Sequence, residues 1–191
     1  MVTKPEHSNI TIEEWLAHEQ ATGIKHEYID GEIYAMSGGT LRHARLIQRC
    51  MKTLDNQIDN DTCEVLPGEL RIRITATKYV YPDAIVVCGE PNIADDDVSA
   101  LTNPTLIVEV TSPSSRSYDR GLKAEYYYNV SSVQAYLVVE QSRPYATLFL
   151  RKANAWEVTY YDGRAAIVPI APLDSKLSLA DIYEGISFED A

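Results

Sequence analysis

Two short β-branched runs each carry a single acid, and this pairing limits what the chain can fold into. Asp83 stands in Tyr81-Pro82-Asp83-Ala84-Ile85-Val86-Val87, and Glu109 in Leu106-Ile107-Val108-Glu109-Val110-Thr111-Ser112-Pro113. Both runs predict strands. A carboxylate among such residues is costly unless something pairs with it, and two brought together suit a divalent metal ion. The expected fold therefore places these acids on neighbouring strands, as the candidate active-site pair.

The rest of the pattern alternates helices with strands. Thr11 and Glu14 have capping-box spacing, and Trp15 and Leu16 supply apolar contacts for a first helix. Residues 25–36 predict a hairpin turning at Asp30-Gly31, with Glu27 on its first strand. Over residues 41–58, Ala44, Ile47, Met51, Leu54 and Ile58 recur three and four apart, predicting a helix with these residues on its buried face. Leu70, Ile72 and Ile74 alternate with Arg71 and Arg73, predicting a half-buried strand. Further strands are expected over residues 79–88, 104–111, 135–140, 145–151 and 156–161, before a polar turn at Asp162-Gly163. Successive residues of an extended chain point oppositely, so Asp95-Asp96-Asp97 is expected to be a solvated loop without a site role. The run over residues 177–183 either covers the sheet or meets a partner. With 191 residues and no internal repeat or linker, residues 1–191 are expected to form a single domain.

Charge narrows the range of partners. A net charge of -11 repels a phosphate backbone, so any nucleic-acid contact needs a local basic patch. Arg42, Arg45, Arg49 and Lys52 supply one candidate, a stripe along one side of the 41–58 helix. A solvated helix face explains the same residues. Cys50, Cys63 and Cys88 lack metal-ligand spacing with the histidines, and are expected to be buried free thiols in a reducing cytoplasm. No apolar run approaches the ~20 residues of a membrane span, so no membrane partner is expected and the expected location is cytoplasmic.

After Glu109, a helix near Asp119 would place Asp119, Lys123 and Tyr127 four apart on one face. If that face looks back at the strand ends, Lys123 offsets the repulsion of the acids or orients a water. The competing reading is a solvent-exposed ion pair worth only ~0.3–0.5 kcal/mol. Tyr126, Tyr127 and Tyr128 are consecutive, so a helix sends them to different sides and they form no single stacking platform.

The ordered set Glu27, His43, Pro82-Asp83, Glu109-Val110-Thr111-Ser112-Pro113, Asp119, Lys123, Tyr127 and Ala135-Tyr136-Leu137-Val138-Val139-Glu140 resembles the Uma-two type family of restriction-endonuclease-like proteins, within the PD-(D/E)XK nuclease superfamily. The resemblance implies an α/β (α+β) fold of restriction-endonuclease type, a central mixed β-sheet flanked by helices. It makes Asp83 and Glu109 catalytic, with Val110 lending its carbonyl to the Mg²⁺ (or Mn²⁺) that they bind. The superfamily's lysine is expected two residues after the second acid, where this chain has Thr111. Within the resembled family the lysine comes instead from the following helix and matches Lys123. Glu27, His43, Asp119 and Tyr127 are implied accessories. The implied activity is Mg²⁺-dependent hydrolysis of nucleic-acid phosphodiester bonds, in DNA; a symmetric homodimer would be a natural way to act on two strands and enlarge the binding surface of a small domain. A non-catalytic nucleic-acid-binding or protein-interaction module on the same fold is the alternative. A glycosidase acid pair is a third, ranked below them because no aromatic sugar-binding cleft is suggested.

Overall fold

Alternation along the β-branched runs sorts their side chains onto two faces, and the chain covers each face with different helices. A computed structural model describes residues 5–36, 38–95, 97–153 and 155–188. The chain begins with β1 (His7–Ser8), α1 (Ile12–Thr22), the hairpin β2 (His26–Ile29) and β3 (Glu32–Ala35), and α2 (Leu41–Asp55). Next come β4 (Cys63–Pro67), β5 (Arg71–Thr75), β6 (Lys78–Val80), β7 (Ala84–Cys88), β8 (Ile93–Ala94), β9 (Asp97–Leu101) and β10 (Leu106–Thr111). Two short helices follow, α3 (Arg116–Arg120) and α4 (Leu122–Tyr128). The remainder is β11 (Ala135–Glu140), β12 (Tyr145–Arg151), β13 (Trp156–Asp162), β14 (Ile167–Ile170), β15 (Ser175–Ser178) and α5 (Leu179–Ile182).

The central sheet runs β13-β12-β11-β10-β7-β4 and is mixed, since β10 and β11 are parallel and its other pairs antiparallel. On one face, Val86, Leu106, Val108, Val110, Leu137 and Val139 pack against Leu46, Cys50 and Leu54 of α2 and Leu179 and Ile182 of α5. On the other, Ile85, Val87, Ile107, Tyr136 and Val138 meet Ala124 and Tyr127 of α4. A second sheet, β1-β3-β2-β6-β5-β9-β8, carries α1 through Trp15, Tyr28, Ile33 and Tyr79. This is the expected α/β architecture of mixed sheets flanked by helices. No helix among the described residues is long and apolar enough to cross a membrane.

Local signals account for several joints. The Thr11–Glu14 capping box is formed, and the hairpin turns with Asp30 at φ 50° and Gly31 at φ 88°. Other expectations are corrected. Residues 79–88 form two strands in different sheets, because the chain leaves one ladder at Val80 and enters the other at Ala84, with donorless Pro82 between them. Helix α2 ends at Asp55, and Ala44 is exposed while Leu46 and Cys50 are fully buried. The apolar stripe is thus rotated from the expected one. The helix after Glu109 is broken at Gly121, whose added Cβ would stand 2.8 Å from the Ser117 carbonyl oxygen.

Cysteine pairing also departs from expectation. Antiparallel β4 and β7 set Cys63 directly opposite Cys88 and a disulfide joins them, leaving Cys50 as the buried free thiol. Spacing in sequence carried no trace of that register. Nor is the 95–97 run simply a solvated loop. Asp95 is exposed in the β8–β9 turn and Asp96 lies outside the described residues, but Asp97 is buried against Arg71 at 2.6 Å. The run over residues 177–183 covers the central sheet, with Leu177, Leu179, Ile182 and Tyr183 all fully buried.

Candidate active site

Asp83 sits just before β7 and uses both backbone and side chain to extend the ladder with β10. Its N–H donates to the Val108 carbonyl at 3.2 Å, and its Oδ2 accepts the Val110 N–H at 2.6 Å. Gly68 packs behind this corner, where an added Cβ would be 2.0 Å from the Pro82 carbonyl oxygen. From the opposite layer, α2 brings His43, held near its Thr40 cap, so that Nε2 lies 3.1 Å from Asp83 Oδ1 and Nδ1 3.1 Å from the Val110 carbonyl. Nε2 thus faces the carboxylate, while Nδ1 lies between the Val110 carbonyl and the Gln141 amide nitrogen, each at 3.1 Å. Burial lowers the His43 pKa, but Asp83 and the Val110 carbonyl outweigh it, and the net shift is upward.

Glu109 points to the other face, because adjacent residues of β10 alternate. There Lys123 of α4 places its Nζ 2.8 Å from Glu109 Oε1 and 2.9 Å from Glu27 Oε1, and donates to the Tyr81 carbonyl at 2.8 Å. The Glu27 contact is an ion pair only, since Glu27 Oε1 has no hydrogen-bond partner among the described residues. The Tyr127 hydroxyl donates to Glu109 at 3.1 Å and that of Tyr118 to Glu27 at 2.6 Å. Burial pushes the Glu109 carboxyl well above the usual range, opposed by Lys123 but reinforced by Asp83 and Asp119. Burial alone would lower the Lys123 ammonium, yet Glu109 and Glu27 outweigh it and hold it well above the ordinary lysine value. The exposed ion-pair reading of Lys123 is therefore replaced by a buried network.

Glu27, Tyr34, His43, Asp83, Glu109, Val110, Ser115, Tyr118, Asp119 and Lys123 line one open pocket. Asp119 is only 5 % exposed, and among the described residues its carboxylate has no hydrogen-bond or ion-pair partner. Lys123 and His43 thus face four carboxyls. The surplus of oxygen donors fits a hard divalent cation, and the Val110 carbonyl adds a neutral donor at the same strand end. Asp83 Oδ2 and the Val110 carbonyl are engaged with protein donors, so a cation there would keep several waters rather than a closed protein cage.

Other expected residues are placed differently. Arg49 caps α5, donating to the Ile182 carbonyl at 3.1 Å and to that of Glu184, while Arg42 lies 5.7 Å from the Phe188 ring. Only Arg45 and Lys52 of the α2 stripe are exposed, so the stripe is divided between a structural cap and solvent. Thr111 is buried, with its hydroxyl 3.1 Å from that of Ser115. Sequence reasoning missed Tyr118, Gln141 and an arginine group. Gln141 donates to the Val110 carbonyl at 3.2 Å and lies 3.1 Å from His43 Nδ1. Arg116, Arg120 and Arg143 surround fully buried Glu140 at 3.0, 2.8 and 3.2 Å. Arg116 and Arg120 are four apart and flank Asp119, a sequence signal that pointed to this spot.

Comparison with known proteins identifies the family and the fold. The chain is 32% identical over 178 residues to the uncharacterized protein slr1290 of Synechocystis sp., covering 92% of both chains. It is 33% identical to sll1609 of the same organism over 133 residues, 69% of this chain and 75% of that protein. In fold it is similar to the crystal structure of a putative nuclease from Anabaena variabilis, with a TM-score of 0.70, 17% identity, and coverage of 85% of this chain and 91% of that one. Residues 12–180, which contain the whole pocket, match the Uma2 family, described as "Putative restriction endonuclease", and the chain belongs to that family.

Proposed function

We propose that this chain is a Mg²⁺-dependent nuclease that hydrolyses phosphodiester bonds in DNA. The observation that carries the reading is the convergence of Asp83, Glu109 and Lys123 at one pocket, with Asp119 unpartnered among the described residues beside them. Asp83, Glu109 and the Val110 carbonyl would hold the cation, which when bound lowers the pKa of a coordinated water and polarises a phosphodiester oxygen.

The chain's own residues supply positioning and charge. Lys123 remains an ammonium, so it stabilises developing negative charge rather than removing a proton. It reaches Glu109 from α4 and occupies the role that Thr111, turned into the Ser112–Ser115 bend, cannot fill. His43 and the Val110 N–H fix the Asp83 carboxylate. Tyr127 and Tyr118 orient the two acids that flank the ammonium. Arg116, Arg120 and Arg143 carry more positive charge than Glu140 and Asp162 offset, and they would supply the local basic patch that a phosphate backbone requires on so acidic a chain.

One observation favours the non-catalytic alternative, since both Asp83 oxygens already have partners in His43 and Val110. The test is cleavage of supercoiled DNA, and of RNA in parallel, with Mg²⁺ or Mn²⁺. Metal-dependent cutting of DNA that disappears in both Asp83→Ala and Glu109→Ala supports the proposal. Cutting of RNA alone changes the substrate, and cutting unaffected by either substitution removes these acids from the mechanism.

A further inference from the structure

A second group of metal-ligating side chains lies outside the acidic pocket, where the N-terminal segment crosses α1 and β2. Glu6, His18 and His26 each offer one ligand atom, and these atoms lie within 4.8 Å of one another. We infer that Glu6, His18 and His26 form a binding site for a Zn²⁺-class cation that fastens the N-terminal strand to α1 and β2.

Hydrogen-bond counting around His26 carries the argument. The residue is fully buried, with Nδ1 2.8 Å from the Ile24 carbonyl and Nε2 3.0 Å from Glu6 Oε2. A carbonyl and a carboxylate are both acceptors, so a neutral imidazole satisfies only one of them. An imidazolium would satisfy both, whereas a neutral ring donating Nδ1–H to the carbonyl leaves the Nε2 lone pair facing the carboxylate. A cation between Nε2 and Glu6 turns that repulsion into two bonds. A backbone carbonyl on the far nitrogen is also the arrangement that fixes the tautomer of a metal-ligating histidine.

His18 supplies the independent observation. Its Nε2 is buried with no hydrogen-bond partner, although its ring is held in place, packed edge-on against His26 at 4.9 Å and His7 at 5.3 Å. A buried ring nitrogen without a partner is otherwise a cost. The donors come from three separate elements. Glu6 precedes β1, His18 projects from α1, and His26 opens β2, so one ion would add to the bond that the Trp15 indole already makes to the His26 carbonyl. Glu6 remains half exposed, which gives an entry path and leaves a fourth position for water. Two imidazoles and one carboxylate select Zn²⁺ or its borderline neighbours over Mg²⁺, which prefers all-oxygen sites.

The site is chemically distinct from the acid pocket, and its test separates the two. Co²⁺ is titrated into the chelator-treated full chain while visible absorption is followed, and Zn²⁺ binding is measured by displacement. One equivalent of intensely absorbing, nitrogen-ligated Co²⁺ is expected, displaced by Zn²⁺ but not by Mg²⁺, together with a Zn²⁺-dependent rise in Tm. His18→Ala and Glu6→Gln alter partly exposed residues, so folding can be checked for both. Each should weaken Zn²⁺ binding by more than the about 10–100-fold that loss of an outer-shell partner costs. Asp83→Ala should leave the Co²⁺ spectrum unchanged. The inference is overturned if no such spectrum appears, which would make His26–Glu6 an imidazolium–carboxylate pair, or if the spectrum survives His18→Ala and Glu6→Gln.

Discussion

Lys123 shows how much depends on single residues here. It is 4 % exposed and lies between Glu109 and Glu27, so its charge is essential to both. Lys123→Met should lower stability by about 3–5 kcal/mol in urea unfolding, because two buried carboxylates lose their partner. A surface-like loss of a few tenths would show that the network is not closed. Asp30 provides a contrast at the exposed hairpin. Hydrogen bonds from Lys78, then Thr77, lower its pKa. A depressed carboxyl contributes stability above its unfolded value of about 3.9, and that contribution disappears as pH falls through the lower folded value. Asp30→Asn keeps a residue that tolerates φ 50°, so it should cost under ~1 kcal/mol at neutral pH after solvent screening, and nothing in strong acid. Equal costs at both pH values would contradict this assignment. Asp83 and Glu109 stood out in the sequence as single acids in β-branched runs, a local signal, whereas Lys123 was singled out by the family resemblance, because helical spacing alone left an exposed ion pair open. The contacts of Tyr118, Gln141 and Arg71 were not legible there, since their partners lie 91, 31 and 26 residues away.

At the level of elements, the site depends on the corner between β6 and β7. A continuous strand over residues 79–88 would have kept Asp83 in one ladder, whereas the break at Pro82 lets its carboxylate bond β10. Gly68 makes room for that corner and donates its own N–H to the Asp83 carbonyl at 3.0 Å. Gly68→Ala is therefore expected to cost at least about 1–3 kcal/mol and to reduce cation binding, as measured by denaturant titration and calorimetry. An unchanged variant would mean that the corner is free to shift. Helix α2 was legible from its periodicity, yet the face it buries was offset, since Ala44 matches the apolar spacing but lies beyond the sheet. Strand β8 escaped notice because it has only two residues, and β4 because its pairing depends on the distant β7.

For the whole molecule, two sheets and their helices bring β2, α2, β7, β10 and α4 to one pocket. Sequence pattern conveyed the α/β class and the order of elements, but not that the strands divide among three sheets, the third being the β14–β15 pair. The cysteines record the same limit, as the Cys63–Cys88 link exists only through β4–β7 register. Burial pushes the Cys50 thiol up to about 12. The native chain should accordingly show no reactive thiol near pH 8, one after unfolding without reductant, and three after reduction. Rapid native labelling would contradict that packing. The central claim is that the acid pair exists to hold a divalent cation. Calorimetric titration of Mg²⁺ and Mn²⁺ into the intact chain and a folded Asp83→Ala, Glu109→Ala double variant tests it most directly. Binding that vanishes in the variant is the predicted result, and equal binding in both, or none in either even with DNA present, would contradict it.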